Sequence, residues 1–458
     1  MLLDMQRATL EGSRVSMASH FKSSGSPVPG LVLGALLALL SAGCREAGNN
    51  SPPGAGGATV DAPEPITPPD DPAAVQGLSE AGFALGTNAA GTVTEVSVDS
   101  MSGTAELLPL LAGLPSIETL RLSGSGITDV GFAAIESLKK LKRLDLERAK
   151  ISDAALESVG KLPQLEVLSL RLTSVTDAGL ENLSELQRLR ALDLRNSNIT
   201  DEGMPHIGKL SRLVDLQLER AKVSKVGIEE LVGLKLKSLN LNTTRAKNDV
   251  LEVLGKIPTL ESIQLDSALI TDEGMAHLAG LEALKRLRIR YCDITGEGFE
   301  QIKHLRNLQR LELRATSVDD LAMQIISEFP SVSYLELNEC KLISSEGFAR
   351  LGKLEGLTTL AVWETKLDDD AMRALSGLTE LLDLDVSSTR ISNESVNVIA
   401  SFSKLTKLNI AGTQLDDDAA EGIKELPSLR WIDVNNSGVS YSGVDALLEA
   451  REGIEVVE

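Results

Sequence analysis

A Leu-x-Leu element, with Val or Ile substituting, starts at Val96, Leu120, Leu144, Leu168, Leu192, Leu216, Leu239, Ile263, Leu287, Leu311, Leu335, Leu360, Leu384, Leu408 and Ile432. The fifteen starts are spaced by 24 residues, with one step of 23 and one of 25. Few architectures accommodate so short and regular a period. A unit of this size cannot bury its own apolar face, so it must stack on the units before and after it in a solenoid. Within each unit the first half alternates with period 2, as in Leu168-Ser169-Leu170, which predicts a short strand. The second half places apolar residues three apart, as in Phe132, Ile135 and Leu138, which predicts a short helix. A further apolar residue sits three positions before the first Leu, from Ile117 and Leu141 onward to Leu429.

The helix start is also written in the chain. Thr128-Asp129, Ser152-Asp153, Thr176-Asp177, Thr200-Asp201 and Thr271-Asp272 put a side-chain oxygen at the N-cap and an acid in the first turn. The oxygen accepts from an orphan backbone N–H, and the carboxylate complements the helix dipole. Strand, turn and helix in this wording resemble the leucine-rich repeat family over residues 93–458. The Leu-x-x-Leu-x-Leu and Ile-Thr-Asp-x-Gly-Leu phrases are similar to the cysteine-containing and ribonuclease-inhibitor-like subclasses, and to the repeat lipoproteins of some bacteria. The resemblance implies an α/β horseshoe solenoid, with a parallel β-sheet on the concave face and short helices on the convex face. One departure is that Ala149, Thr173, Ala221, Cys292 and Thr365 stand at a ladder position where many subclasses carry Asn. Cys340 shares that position with Cys292, two repeats and ~10 Å away by strand spacing. That is too far for a disulfide, so both are expected to be buried ladder residues.

Ahead of the repeats the chain changes character. Residues 1–44 read as an export signal, with Arg7, Arg14 and Lys22 before an apolar run from Leu31 to Leu40. The run is shorter than the roughly 20 residues of a spanning helix. The start is open between Met1 and Met17, since Lys22 precedes the run in either case. Ser41-Ala42-Gly43-Cys44 resembles the lipobox of bacterial lipoproteins, although Ser41 stands where that family prefers Leu. The resemblance implies lipidation at Cys44, and Arg45 in place of the inner-membrane Asp favours the outer membrane. An ordinary cleavage site, giving a secreted or periplasmic protein, is the alternative. Residues 45–75, rich in Pro, Gly and Ala, are expected to be a disordered tether. Residues 76–92 are expected to cap the first strand through a helix-like stretch and the Gly86-Thr87-Asn88 turn. Repeats then fill 93–440, and 441–458 form a truncated closing repeat that protects the last strand edge.

Little in the chain suggests catalysis. There are four histidines; His206 and His277 share a helical slot but lie three repeats apart, roughly 15 Å by strand spacing. His304 is offset from both, so no shared metal is expected. The runs Asp368-Asp369-Asp370 and Asp416-Asp417-Asp418 fall at helix starts, where acids are favoured without calcium. No nucleophile motif, phosphate loop or paired Cys-x-x-Cys is present, and neither a cofactor nor a metal is expected. The net charge of −21 argues against nucleic acid, which needs a basic face.

Function should therefore sit on the strand face. Residues at −1, +1 and +3 relative to the first Leu alternate onto the concave side. Early triads are mixed, such as Arg143/Asp145/Glu147, Ala191/Asp193/Arg195 and Asp215/Gln217/Glu219. Then come Arg286/Arg288/Arg290, Arg310/Glu312/Arg314, Tyr334/Glu336/Asn338 and Thr359/Ala361/Trp363, with Tyr291 at the strand exit. Aromatics are only 3% of the chain, so five arginines beside Tyr291, Tyr334 and Trp363 form an unusual cluster. Arg, Tyr and Trp dominate binding hot spots, and Arg grips carboxylate or phosphate with two bonds. Arg288 also falls opposite Glu312, so two readings stay open: a partner site, or cross-strand ion pairs on a solvated face. The triads Asp383/Asp385/Ser387, Lys407/Asn409/Ala411 and Trp431/Asp433/Asn435 are a second candidate area. The chain is expected to be a non-enzymatic module, anchored only by lipid, that recognises a protein or peptide on its concave face. A structural or adhesive component binding polysaccharide or peptidoglycan is the alternative.

Overall fold

The computed structural model describes residues 68–99 and 104–458. The expected export signal, Cys44 and the part of the expected tether up to residue 67 lie outside the described residues. Seventeen strands among the described residues join into one sheet, from β1 (Ala84–Thr87) to β17 (Glu455–Val457). From β2 (Val93–Asp99) onward each strand pairs in parallel with the next in sequence, and β1 runs antiparallel to β2. The register is the sequence period made visible: Val96 faces Leu120, Leu144 faces Leu168, and Leu408 faces Ile432.

The two irregular steps leave that register intact. Leu216 still faces Leu239 and Leu335 still faces Leu360. The missing residue is taken out where buried Leu234 and Leu236 stand two apart, between helix and strand. The extra residue sits in the strand-to-helix turn, where Leu342 is pushed out to solvent and the N-cap moves to Ser344. A one-residue slip inside a strand would exchange its buried and concave faces, so length changes are tolerated only in turns. The helices and 3-10 turns line the other side of the sheet. Their greater width than the strand spacing bends the stack with the sheet inside. At Phe132–Ser137 the chain closes a 3-10 helix, whose three residues per turn keep Phe132 and Ile135 on one edge.

Two further devices recur in almost every repeat. First, the residue after each strand pair is left-handed: φ is positive at Arg148, Leu172, Asn196, Arg220, Thr243, Ser267, Tyr291, Ala315, Glu339, Glu364, Ser388 and Asn436. Gly124 and Gly412 fill the same turn in two other repeats. Its N–H donates to a carbonyl of the next repeat, as from Leu172 to Arg195 at 3.0 Å and from Tyr291 to Arg314 at 2.9 Å. Second, the first-turn acid does something other than complement its own helix. Asp153 accepts from the backbone N–H and the hydroxyl of Thr176, at 2.7 and 2.6 Å. Asp177 does the same to Thr200, Asp201 to Ser224, Asp272 to Thr295, Asp369 to Ser392 and Asp417 to Ser440. The carboxylate is a lateral clamp between repeats, because the next N-cap offers two donors in one plane. The Gly of Thr-Asp-x-Gly follows from it: a Cβ on Gly179 would lie 2.4 Å from Asp153 Oδ1.

The N-terminal cap differs from the sequence expectation. A helix spans Pro72–Glu80, with Asp71 as N-cap accepting from Ala73, so it starts inside the 45–75 span expected to be a tether. Pro72 at the helix start is compatible with its missing N–H, and Ala74 and Leu78 are buried against the first repeat. Gly86 and Thr87 belong to β1 rather than to the turn, which Asn88 closes by accepting from Ala90 and Thr92. β1 thereby covers the edge of β2 that would otherwise be unpaired. At the other end a helix Tyr441–Ala450 and β17 complete the closing repeat.

Candidate protein-binding face

The arginine-rich triads come together as the spacing requires. Arg286 and Arg288 lie on β10 (Arg286–Arg288), Arg310 on β11 (Arg310–Glu312), Tyr334 on β12 (Tyr334–Glu336), and Trp363 just past β13 (Thr359–Ala361). Arg286 pairs with Arg310 and Arg288 with Glu312 across the ladder, and Arg310 with Tyr334 in the next. Arg290 and Arg314 follow two residues beyond their strands, and Tyr291 occupies the left-handed turn position at 48% exposure.

Glu312 is the hub. Its side chain is 1% exposed, and its carboxylate lies 2.8 Å from Arg286 Nη2, 3.2 Å from Arg290 Nη2 and 3.5 Å from Arg288 Nε. Arg310 Nε donates to it from its own strand. Burial alone pushes this carboxyl up, but the guanidiniums around it outweigh burial and hold it below the ordinary range. Three of the guanidiniums have further partners, whereas Arg286 Nε is buried without one. Arg288 Nε donates to Asp266 at 2.6 Å, Arg290 Nε to Glu336 at 2.9 Å, and Arg314 Nε to Glu339 at 2.7 Å. Arg286, Arg288, Arg290, Arg310 and Arg314 thus face Asp266, Glu312, Glu336 and Glu339, five cations against four anions. The cross-strand ion pairs that the sequence reading left open are present.

What the ion pairs hold in place is aromatic. The Arg310 guanidinium stacks 3.5 Å above the centre of the Tyr334 ring. Arg314 lies between two rings, 4.9 Å from Trp363 and 5.5 Å from Tyr291. Stacking of this kind adds a cation–π attraction to the ion pairs that hold each guanidinium. Tyr291 is exposed, whereas Tyr334 and Trp363 are half-buried. The counterions Asp266, Glu336 and Glu339 were not among the predicted site residues. Writing the chain in rows of 24 would have found two of them: Asp266 lies in one column with Arg290 and Arg314, and Glu336 in one column with Arg288 and Glu312.

The other strand positions behave differently. Arg195 doubles back onto Asp193, and the Asp215 carboxyl is pushed up to about 6, chiefly by burial, with Asp193 adding to it. In the C-terminal triads Lys407 lies 3.7 Å from Asp383 and 5.0 Å from the Trp431 ring centre. Cys292 and Cys340 are free and buried, their thiols pushed up to about 12 and about 11 by burial. The aspartate runs are structural: Asp368 caps Ala371, Asp416 caps Asp418, and Asp369 and Asp417 are clamps. His277 and His304 are exposed and His206 half-buried. Among the described residues no group of three or more His, Cys, Asp or Glu is placed to hold a metal. No helix among them is long and apolar enough to cross a membrane.

A leucine-rich repeat family model matches residues 113–135 and 186–204. No curated protein matches the sequence. Among solved structures, a leucine-rich repeat protein of Leptospira interrogans is 21% identical, with 76% of this chain and 92% of that chain covered and a TM-score of 0.52. An internalin of Listeria monocytogenes is likewise 21% identical over 78% of this chain and 89% of its own, with a TM-score of 0.48.

Proposed function

The chain folds as a leucine-rich repeat protein, and from that premise we propose that it is a non-enzymatic recognition module for a protein or peptide. The observation that carries this reading is the arginine–aromatic stack on the concave face: Arg314 against both Tyr291 and Trp363, and Arg310 on Tyr334. Guanidiniums already fixed by carboxylates lose little freedom on binding, so such a surface is pre-organised. It offers rings and guanidinium faces rather than free charge, as hot spots do. Export and lipidation at Cys44 belong to the same proposal and rest on the Leu31–Leu40 run and the Ser41-Ala42-Gly43-Cys44 wording. Mass spectrometry of the mature N-terminal peptide tests them: an unmodified Cys44, or an intact signal, would refute anchoring.

Recognition is tested by crosslinking capture from envelope extract, with the full chain as bait beside a Tyr291→Ala, Trp363→Ala double variant. Arginine reversals are unsuitable, since Arg288→Glu or Arg290→Glu would set a second carboxylate against buried Glu312. A discrete protein held by the wild type and lost with the ring-less variant is the expected result. Capture of polysaccharide, or of nothing specific, would favour the structural or adhesive alternative, and equal capture of a protein by both would place the site away from these rings.

A further inference from the structure

A second cationic surface lies on the rim where the chain enters the strands, away from the concave arginines. Here a cleft of about 420 Å³ is lined by Arg188, Arg190, Arg212 and Lys235, with Ser211 and Glu166, over a floor of Leu213 and Val214. The repeat arithmetic explains how four cations converge. Arg188, Arg212 and Lys235 each stand four residues before the first Leu of consecutive units, and Arg190 stands two before. Side chains at such positions reach across adjacent repeats. Arg188 Nη1 donates to Gln164, and Ser211 Oγ donates to Gln187 at 3.2 Å, both 24 residues apart.

Several other cations just ahead of the strands are neutralised by the neighbouring repeat. Lys142 closes on Glu118 at 2.8 Å, Lys237 and Lys285 share Glu261 at 2.7 and 2.6 Å, and Lys404 takes Glu380 at 2.6 Å. Arg190, Arg212 and Lys235 form no ion pair among the described residues, and Arg188 bonds only a neutral amide. Glu166 is the single carboxylate of the lining, leaving three uncompensated positive charges in a protein whose net charge is −21.

We propose that this cleft binds a phosphoryl group, carried on a soluble molecule or on a lipid headgroup. A carboxylate is matched by one bidentate arginine, whereas phosphoryl oxygens bearing nearly two charges accept from several guanidiniums at once. The volume is that of a small-molecule site rather than of a lone ion. Arg190, Arg212 and Lys235, without ion partners in the free protein, break no salt bridge when the anion enters.

The test uses the full chain with two probes, inorganic pyrophosphate by calorimetry and phosphatidylcholine vesicles doped with phosphatidic acid by co-flotation. Saturable binding of at least one probe is expected, weakened about tenfold or more in Arg190→Gln, Arg212→Gln, the loss of roughly one charge-assisted contact. Pyrophosphate alone identifies a soluble ligand, and vesicle binding identifies a headgroup. These exposed and half-buried substitutions are expected to leave the thermal midpoint unchanged, so a loss of binding cannot be a loss of fold. Lys237→Gln, which removes a paired lysine from the same rim, is expected to bind as the wild type does. No saturable binding of either probe, equal affinity in the double variant, or an equal loss in Lys237→Gln would overturn the proposal.

Discussion

The molecule carries two clusters of positive charge, and they are opposites. On the concave face five guanidiniums enclose four carboxylates, with Glu312 shut away from water at the centre. On the strand-entry rim four cations surround one carboxylate and leave the pairing undone. The residue types are nearly the same, so composition does not separate them. The columns do. In a solenoid a side chain's nearest neighbours lie 24 residues before and after it, and a charge means nothing until those neighbours are known. Where a buried carboxylate stands in an adjoining column, arginine becomes scaffolding for the rings it stacks on. Where none is within reach, the cations remain available.

The sharpest way to break this comparison is to remove the central anion of each cluster. Glu312→Gln leaves four arginines around a buried neutral amide, and stripping one partner from a buried charge network costs about 3–5 kcal/mol. Glu166→Gln on the open rim is expected to change stability by no more than about 0.5 kcal/mol. Urea unfolding of the two variants measures both. Similar losses would mean that the concave ion pairs are no more integral than a surface charge.

Asp215 gives the next largest effect, because it is a buried anion without a cluster of its own. Its strand β7 (Asp215–Gln217) begins beside Val214 of the rim cleft, and Gln217 Nε2 donates to it at 2.6 Å. Burial raises its carboxyl from 3.8 to about 6. Between those values the folded chain keeps the proton that the unfolded chain releases, so folding is progressively disfavoured as pH rises through that window. The penalty is absent below the lower value and complete above the upper one. At about 1.4 kcal/mol per unit it amounts to about 2–3 kcal/mol. Asp215→Asn, whose Oδ1 can still accept the hydrogen bond from Gln217 Nε2, is therefore expected to be more stable than the wild type near pH 7.5 and equal to it near about pH 3.5. A gain that persists at the acid end would place its origin in packing rather than in the charge.

How far the sequence could be read follows from the same geometry. Period 24 placed strands, turns and helices because burial alone sets that pattern, and Val96 to Ile432 face one another as counted. Arg286 to Trp363 were found as a cluster because they lie in adjacent rows. Pairing was harder to read. Asp153 looked like a helix-dipole acid when its own repeat was considered, and proved to serve Thr176 of the next. The rim cleft was not visible at all, since Arg188, Arg212 and Lys235 lie outside the strand triads and become one feature only when three repeats are stacked. The helix at Pro72 was hidden by the prolines around it, which suit a tether and a helix start equally well.

The smallest effect tests the turn that all these repeats share. A left-handed backbone costs an ordinary L-residue about 1–2 kcal/mol, and Asn less, because its short polar side chain bonds locally. Leu172 holds φ at 56° while 42% exposed, so it gains little burial in return, and Asn196 and Asn436 already occupy the same turn elsewhere. Leu172→Asn is expected to stabilise the fold by about 0.5–1 kcal/mol, roughly the steric strain relieved. Tyr291 sits in the same conformation with φ at 58°, but its ring lies against Arg314. Tyr291→Asn should therefore gain less, since about 0.5–1 kcal/mol of ring–guanidinium attraction is lost with the strain. Paired thermal unfolding of the two variants gives the difference directly. Equal gains would mean that the Tyr291 ring does not help to hold Arg314, which would then be held by Trp363 and Glu339.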